Sequence, residues 1–152
     1  MATGKIKDLY PPGNNGKEQG AGRITLDGTS DNYVFQTPDD IDQASVPVSA
    51  GTPVTFDIGN GKQAGNVKKA EAPACTLAAN LPIITLGQSV ILSWASSYAD
   101  TLTINQGIGN VSPVSRGSVN HTPSAAGTIT YILTATNSAG QSAASSVNVN
   151  VT

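Results

Sequence analysis

The chain has 152 residues, enough for one average domain or two small ones. Only 38 % are hydrophobic and 12 % charged; Gly, Pro, Ser, Thr, Asn and Ala fill the balance, a mixture that suits short strands joined by turns and argues against long helices. A formal net charge of -2, one cysteine and one histidine exclude a broadly basic phosphate-neutralising surface, a disulfide framework and a Cys/His metal cluster.

Charge is segregated along the chain. Sixteen of the eighteen charged side chains fall in residues 1–71, and residues 72–152 keep only Asp100 and Arg116. The second part is instead rich in Ser and Thr, 22 of 81 residues. Such a shift marks a domain boundary, so the reading is residues 1–70 as one domain, 71–80 as an Ala-rich linker carrying Pro73, and 81–152 as a second domain. No apolar run approaches the roughly 18–20 residues of a membrane span. Met1 to Asp8 has no apolar stretch behind a basic end, so no secretory signal is expected.

In chain order, Lys5–Tyr10 alternates and stops at Pro11-Pro12-Gly13. A loop follows to Gly20, then predicted strands at Gly22–Leu26 and Asn32–Gln36, with a turn at Asp27-Gly28 between them. Thr37-Pro38-Asp39-Asp40-Ile41-Asp42 has the caps and acids of a helical turn. Strands at Thr52–Ile58 and Lys62–Lys68 flank Asn60-Gly61, which predicts a tight hairpin with positive φ at both residues. That makes five strands. The second part predicts strands at Leu81–Thr85, Ser89–Trp94, Asp100–Asn105, Gly107–Val111, Gly117–His121, Thr128–Thr136 and Ser145–Val151, at the 8–12-residue spacing of a sandwich.

Two resemblances sharpen this. Gly4-Lys-Ile-Lys7, Gly20-Ala-Gly-Arg-Ile24, Asn32-Tyr-Val-Phe-Gln36, Gly51-Thr-Pro-Val-Thr-Phe56 and Ala64-Gly-Asn-Val67 resemble the cold-shock domain, a five-stranded OB-type barrel. That family stacks single-stranded bases on rings. Here Asp8, Leu9, Ala21 and Arg23 stand where the family has aromatics, Val34 falls on the binding face and Gln36 replaces a histidine. The resemblance therefore implies a retained scaffold without its platform. Residues 81–152, through Val90-Ile-Leu-Ser-Trp94, Leu102-Thr-Ile104, Gly107-Ile-Gly-Asn-Val111 and Thr130-Tyr-Ile-Leu-Thr-Ala-Thr-Asn137, resemble the immunoglobulin-like domains of bacterial surface proteins and tailed-phage virion proteins. Tyr131, two residues before Leu133, matches that family's tyrosine corner, and Leu133 with Leu92 would pack where its disulfide lies. The expected fold class is all-β: a small five-stranded OB-like barrel followed by an immunoglobulin-like β-sandwich.

Individual residues weigh as follows. Asp39, Asp40 and Asp42 could bind a hard cation, but acids at a helix start explain them more simply. His121, with no nucleophile patterned beside it, reads as an exposed strand residue. Cys75 reads as a small buried hydrophobe or linker residue. Trp94, Tyr98 and Tyr131 read as core and corner residues of a sandwich. Lys62, Lys68 and Lys69, with Lys5 and Lys7, read as solvated or interfacial charge. Asn110-Val-Ser112, Asn120-His-Thr122 and Asn150-Val-Thr152 fit a glycosylation pattern that an Asn- and Ser/Thr-rich chain produces by chance. The candidate partner-docking residues are Lys5, Lys7, Tyr10, Lys17, Arg23 and Tyr33.

No catalytic set, cofactor motif or metal site is expected, and an enzyme is the least favoured class. The resemblances imply a structural protein of a tailed phage, assembled in host cytoplasm and located in the virion. On that reading it is a capsid decoration or cement protein. Its barrel docks on the major capsid protein or other virion subunits, with a homotrimer at a symmetry axis as one arrangement, and its sandwich projects outward to a host surface or glycan. A membrane partner is not expected, and nucleic acid is disfavoured. The alternatives are a single-stranded nucleic-acid binder of cold-shock type and a surface adhesin or carbohydrate-binding module.

Overall fold

A computed structural model describes residues 1–9, 22–35 and 49–152. The chain divides into two compact units, Met1–Ala70 and Glu71–Thr152. The architecture is all-β: an OB-like barrel in the first unit and an immunoglobulin-like sandwich in the second.

The first unit is one five-stranded sheet. Its strands are β1 (Ala2–Leu9), β2 (Gly22–Leu26), β3 (Asn32–Phe35), β4 (Pro53–Ile58) and β5 (Ala64–Lys69), in the order β3-β2-β1-β4-β5. Every named pairing is antiparallel, and a parallel bridge between Val34 and Gln63 links β3 to the start of β5, curling the sheet toward closure. Strand alternation does the rest. Ile6, Ile24, Tyr33, Phe35, Val54, Phe56, Ala64 and Val67 all turn inward and form the core. Tight coiling requires close approach at Gly4, where a Cβ would lie 2.5 Å from the Thr25 carbonyl oxygen.

One expectation changes here. The β4–β5 connection is longer than a two-residue hairpin: Gly59 N–H donates to the Gln63 carbonyl at 2.9 Å, and positive φ falls on Gly61 (66°), as expected, and on Lys62 (61°) in place of Asn60. A register shift between Thr55 and Asp57 accompanies it, so the turn moves along the chain. The predicted loop 11–19 and helical turn 37–42 lie outside the described residues.

The second unit packs two sheets. One is β11 (Arg116–His121), β8 (Val90–Ser97) and β6 (Ala74–Ala79); the other is β10 (Gly109–Asn110), β9 (Thr101–Ile104), β12 (Gly127–Thr136), β13 (Ser142–Val151) and β7 (Ile83–Ile84). All pairings are antiparallel except β13 with β7. Leu77, Val90, Leu92 and Trp94 from the first sheet meet Ile84, Leu102, Ile104, Tyr131, Leu133, Val149 and Val151 from the second. Leu92 and Leu133 are both fully buried in this cluster. Burial of side chains of this size contributes roughly 1.5–3 kcal/mol each, which is how a sandwich without a disulfide holds its sheets together.

The linker reading of 71–80 is overturned. Six of those residues form β6, paired from Ala74↔Ser97 to Ala79↔Leu92. Cys75, Leu77 and Ala79 alternate inward, but two of the three are so small that the apolar rhythm is faint. Tyr98 is also corrected. It follows β8 at φ 55° and is 64 % exposed, so it belongs to neither core nor corner.

Candidate functional site

Two surfaces carry polar chemistry, one on each unit. On the barrel, register sets the outward face of β1, β2 and β3. Lys5 lies opposite Thr25, which lies opposite Asn32; Asp8 lies opposite Arg23, which lies opposite Val34. Because Ile6, Ile24, Tyr33 and Phe35 point inward, their neighbours Lys5, Lys7, Arg23, Thr25, Asn32 and Val34 form the outer layer. The irregularity between Ile6 and Asp8 brings Asp8 level with Arg23. The Arg23 guanidinium then grips both carboxylate oxygens: Nε donates at 2.9 and 3.1 Å, and the Arg23–Asp8 ion pair closes the fork. The hydrogen bond from Arg23 holds the Asp8 carboxyl below its ordinary value. Thr25 Oγ1 donates to Asn32 Oδ1 at 3.0 Å in the next row.

Of the sequence-predicted docking residues, Lys5, Lys7 and Arg23 share this face. Tyr33 does not. It is 9 % exposed and packs on Phe56, with ring centroids 5.5 Å apart. The alternation that buries Phe35 buries Tyr33 too, so it is a core ring. Tyr10 and Lys17 lie outside the described residues, as do Asp39, Asp40 and Asp42. Among the described residues the face carries no aromatic ring. Lys62 is committed elsewhere: its Nζ donates to Asp31 at 2.6 Å, and that contact raises its pKa.

On the sandwich, a half-open cleft of about 530 Å³ lies beside the end of β11, within the size range of small-ligand sites. Gln106, His121, Thr122, Ser124, Thr128 and Thr130 line it together with Ile129, and no charged side chain does. His121 is half-buried, not exposed as its lone position in the sequence suggests. Its Nδ1 lies 2.8 Å from the Tyr131 hydroxyl, edge to face at 79°. Burial pushes the Tyr131 phenol above its ordinary value, and its hydroxyl shares one hydrogen bond with the imidazole. Tyr131 thus ends on a side chain from the opposite sheet. Nothing local in the sequence announces the pair, because only packing of the two sheets joins β11 to β12. The cleft supplies hydroxyl, amide and imidazole groups to a polar ligand.

Cys75 is half-buried, and its Sγ lies 3.6 Å from the Ala143 carbonyl oxygen. Burial raises its pKa, which makes it a poor nucleophile. No group of three His, Cys, Asp or Glu side chains able to hold a metal ion occurs among the described residues. A scan against protein-family models and a search of curated proteins each return no match.

Proposed function

We propose that this chain is a structural component of a tailed-phage particle: a capsid decoration protein whose barrel docks on the shell and whose sandwich projects outward. The observation that carries the reading is the outer face of β1–β3. Where a strand-binding barrel would present flat rings, this one presents Lys5, Lys7, Thr25, Asn32 and a forked Asp8–Arg23 pair, with Tyr33 and Phe35 turned into the core. Ions and hydrogen-bonding groups in fixed register suit a complementary protein surface, where charge sets orientation and partner choice. Base stacking, worth roughly 1–3 kcal/mol per ring, finds no ring on that face among the described residues. The virion setting rests on the likeness of residues 81–152 to immunoglobulin-like domains of phage particles. The polar cleft at His121, with no Asp, Glu, Lys or Arg in its lining, supports a weak outward contact with a neutral glycan.

The test is co-purification. The protein is expected to travel with assembled particles through a density gradient, and Lys5→Glu with Lys7→Glu is expected to lower its occupancy at least about tenfold. A protein that remains soluble and never enters particles ends the reading. Sub-micromolar, salt-sensitive binding to oligo-dT would replace it with the nucleic-acid alternative.

A further inference from the structure

The edges of the sandwich are treated unequally. In the five-stranded sheet the edge strands β7 and β10 have only two residues each. Short edges of that kind are a usual safeguard against pairing with another chain. In the three-stranded sheet β6 is longer, but its outer side is used. Asn80 N–H donates to the Ile91 carbonyl at 3.0 Å, which sets the parity of the β6–β8 ladder. Leu77 N–H turns the other way and donates to Ser145 Oγ at 3.1 Å, while Cys75 Sγ approaches Ala143. That edge is closed onto β13.

The remaining edge, β11, is open. It has six residues in unbroken register with β8, from Arg116↔Ala95 to His121↔Val90. The Ser96 N–H to Ser115 carbonyl bond of 2.8 Å fixes the parity here as well. Gly117, Val119 and His121 therefore bond β8, and Arg116, Ser118 and Asn120 turn N–H and C=O groups away from it. All three of those side chains are exposed, no strand among the described residues pairs beyond β11, and no Pro, Lys or bulge lies within the strand.

We infer that this edge pairs with the β11 edge of a second copy, antiparallel, about a two-fold axis through Ser118. The sequence of the strand is what selects a second copy. With Ser118 opposite Ser118, Arg116 falls opposite Asn120, and both are residues whose backbone groups face outward. The parity of the two edges therefore matches and each bond is made twice, as a two-fold contact requires. The one charge on the strand meets an amide and not its own image. Residues Gly117 and Val119 meet on the inner side, where neither introduces charge. The product is a continuous six-stranded sheet with β6 at each end. This goes beyond the docking role proposed above and does not depend on it.

The experiment is sedimentation equilibrium on the full chain, with three variants. The wild-type mass is expected to rise from monomer to dimer between about 10 µM and about 1 mM, as suits a small, hydrogen-bonded contact. Ser118→Pro removes an outward N–H and no bond to β8, so it is expected to raise the dissociation constant at least about tenfold with the near-ultraviolet signal of Trp94 retained. Ser118→Cys places two thiols across the axis, on Cα atoms about 5.5 Å apart, inside the disulfide range of about 4.4–6.8 Å. It is expected to form an oxidised dimer faster than Ser146→Cys on the outer face of β13, with the wild type as blank for Cys75. A wild type that stays monomeric throughout overturns the inference. So does a dimer that survives in folded Ser118→Pro, or cross-linking at 146 as fast as at 118. Should Ser118→Pro fail to fold, the two cysteine variants decide.

Discussion

Ions hold the barrel surface and neutral groups hold the sandwich surface. In the barrel, Asp8–Arg23 and Asp31–Lys62 pin β1 to β2 and the β2–β3 turn to the β4–β5 turn. In the sandwich the corresponding work falls to amides and hydroxyls bound to backbone. Asn105 accepts from Ile132 N–H at 2.8 Å and donates to the Thr130 carbonyl at 3.0 Å. Asn80 accepts from Ile91 N–H at 2.7 Å, Asn137 from Gln141 N–H at 2.9 Å, and Ser96 Oγ donates to the Val114 carbonyl at 2.6 Å. The two interiors are chemically alike, so the contrast lives at the surface. Exposed ion pairs contribute little and fade with salt, whereas bonds to backbone are indifferent to it. One unit is built to respond to its ionic surroundings and the other to ignore them.

The largest effects test the shared part of that comparison. Phe35→Ala in the barrel and Trp94→Ala in the sandwich should each cost about 3–5 kcal/mol, read by urea denaturation. Similar losses confirm interiors of one kind; a loss below about 1 kcal/mol in either breaks the comparison. Gly117→Ala comes next. A Cβ there would meet Trp94 Cζ2 at 2.5 Å, and pushing the indole aside also strains its 2.9 Å bond to the Pro113 carbonyl. Overpacking of this sort costs about 1–3 kcal/mol, seen as a lower thermal midpoint. Asn105→Ala should cost about 0.5–1.5 kcal/mol for each bond lost, equally in low and high salt; a salt-dependent loss would show that the neutral surface is not what it is taken for here.

Proton linkage sharpens the contrast further. Burial raises both Cys75 and Tyr131, from ordinary values of 9.0 and 10.0. Above those values the unfolded chain releases protons that the folded sandwich keeps, so its stability falls as pH rises from about 9 upward. Far-ultraviolet melts across that range check it. The barrel answers at the other end. Arg23 depresses Asp8 below 3.8, so the pair stabilises above that pH and is lost as pH falls through the depressed value. Asp8 is about one-third exposed and its partner Arg23 more so, so Asp8→Asn should give the smallest shift of the series, and that shift should fade in high salt.

Much of the fold could be read from rhythm alone. Thr128–Thr136 and Ser145–Val151 alternate because one face meets a core and the other meets water, and both became ten-residue strands that begin slightly earlier. Gly22–Leu26 is found at its predicted bounds. Rhythm fails where side chains are too small to mark a face, as in Ala74–Ala79, or where a turn depends on the register of its strands, as at Gly61-Lys62. The barrel face was half legible. Charge in the strands pointed to Lys5, Lys7 and Arg23, but period two should also have withdrawn Tyr33 with Phe35. The His121–Tyr131 pair was not legible, because it joins residues on opposite sheets.

The long strand β13 lies between β12 and β7, bonded to both, and delivers Val149 and Val151 to the centre of the sandwich. Its parallel neighbour, Ile83–Ile84, comes more than sixty residues earlier. During translation, then, the earlier sandwich strands must wait with an incomplete interior until residues 142–151 leave the ribosome. Contacts so distant in sequence are slow to form. The core of the second unit is therefore completed only when β13 joins it.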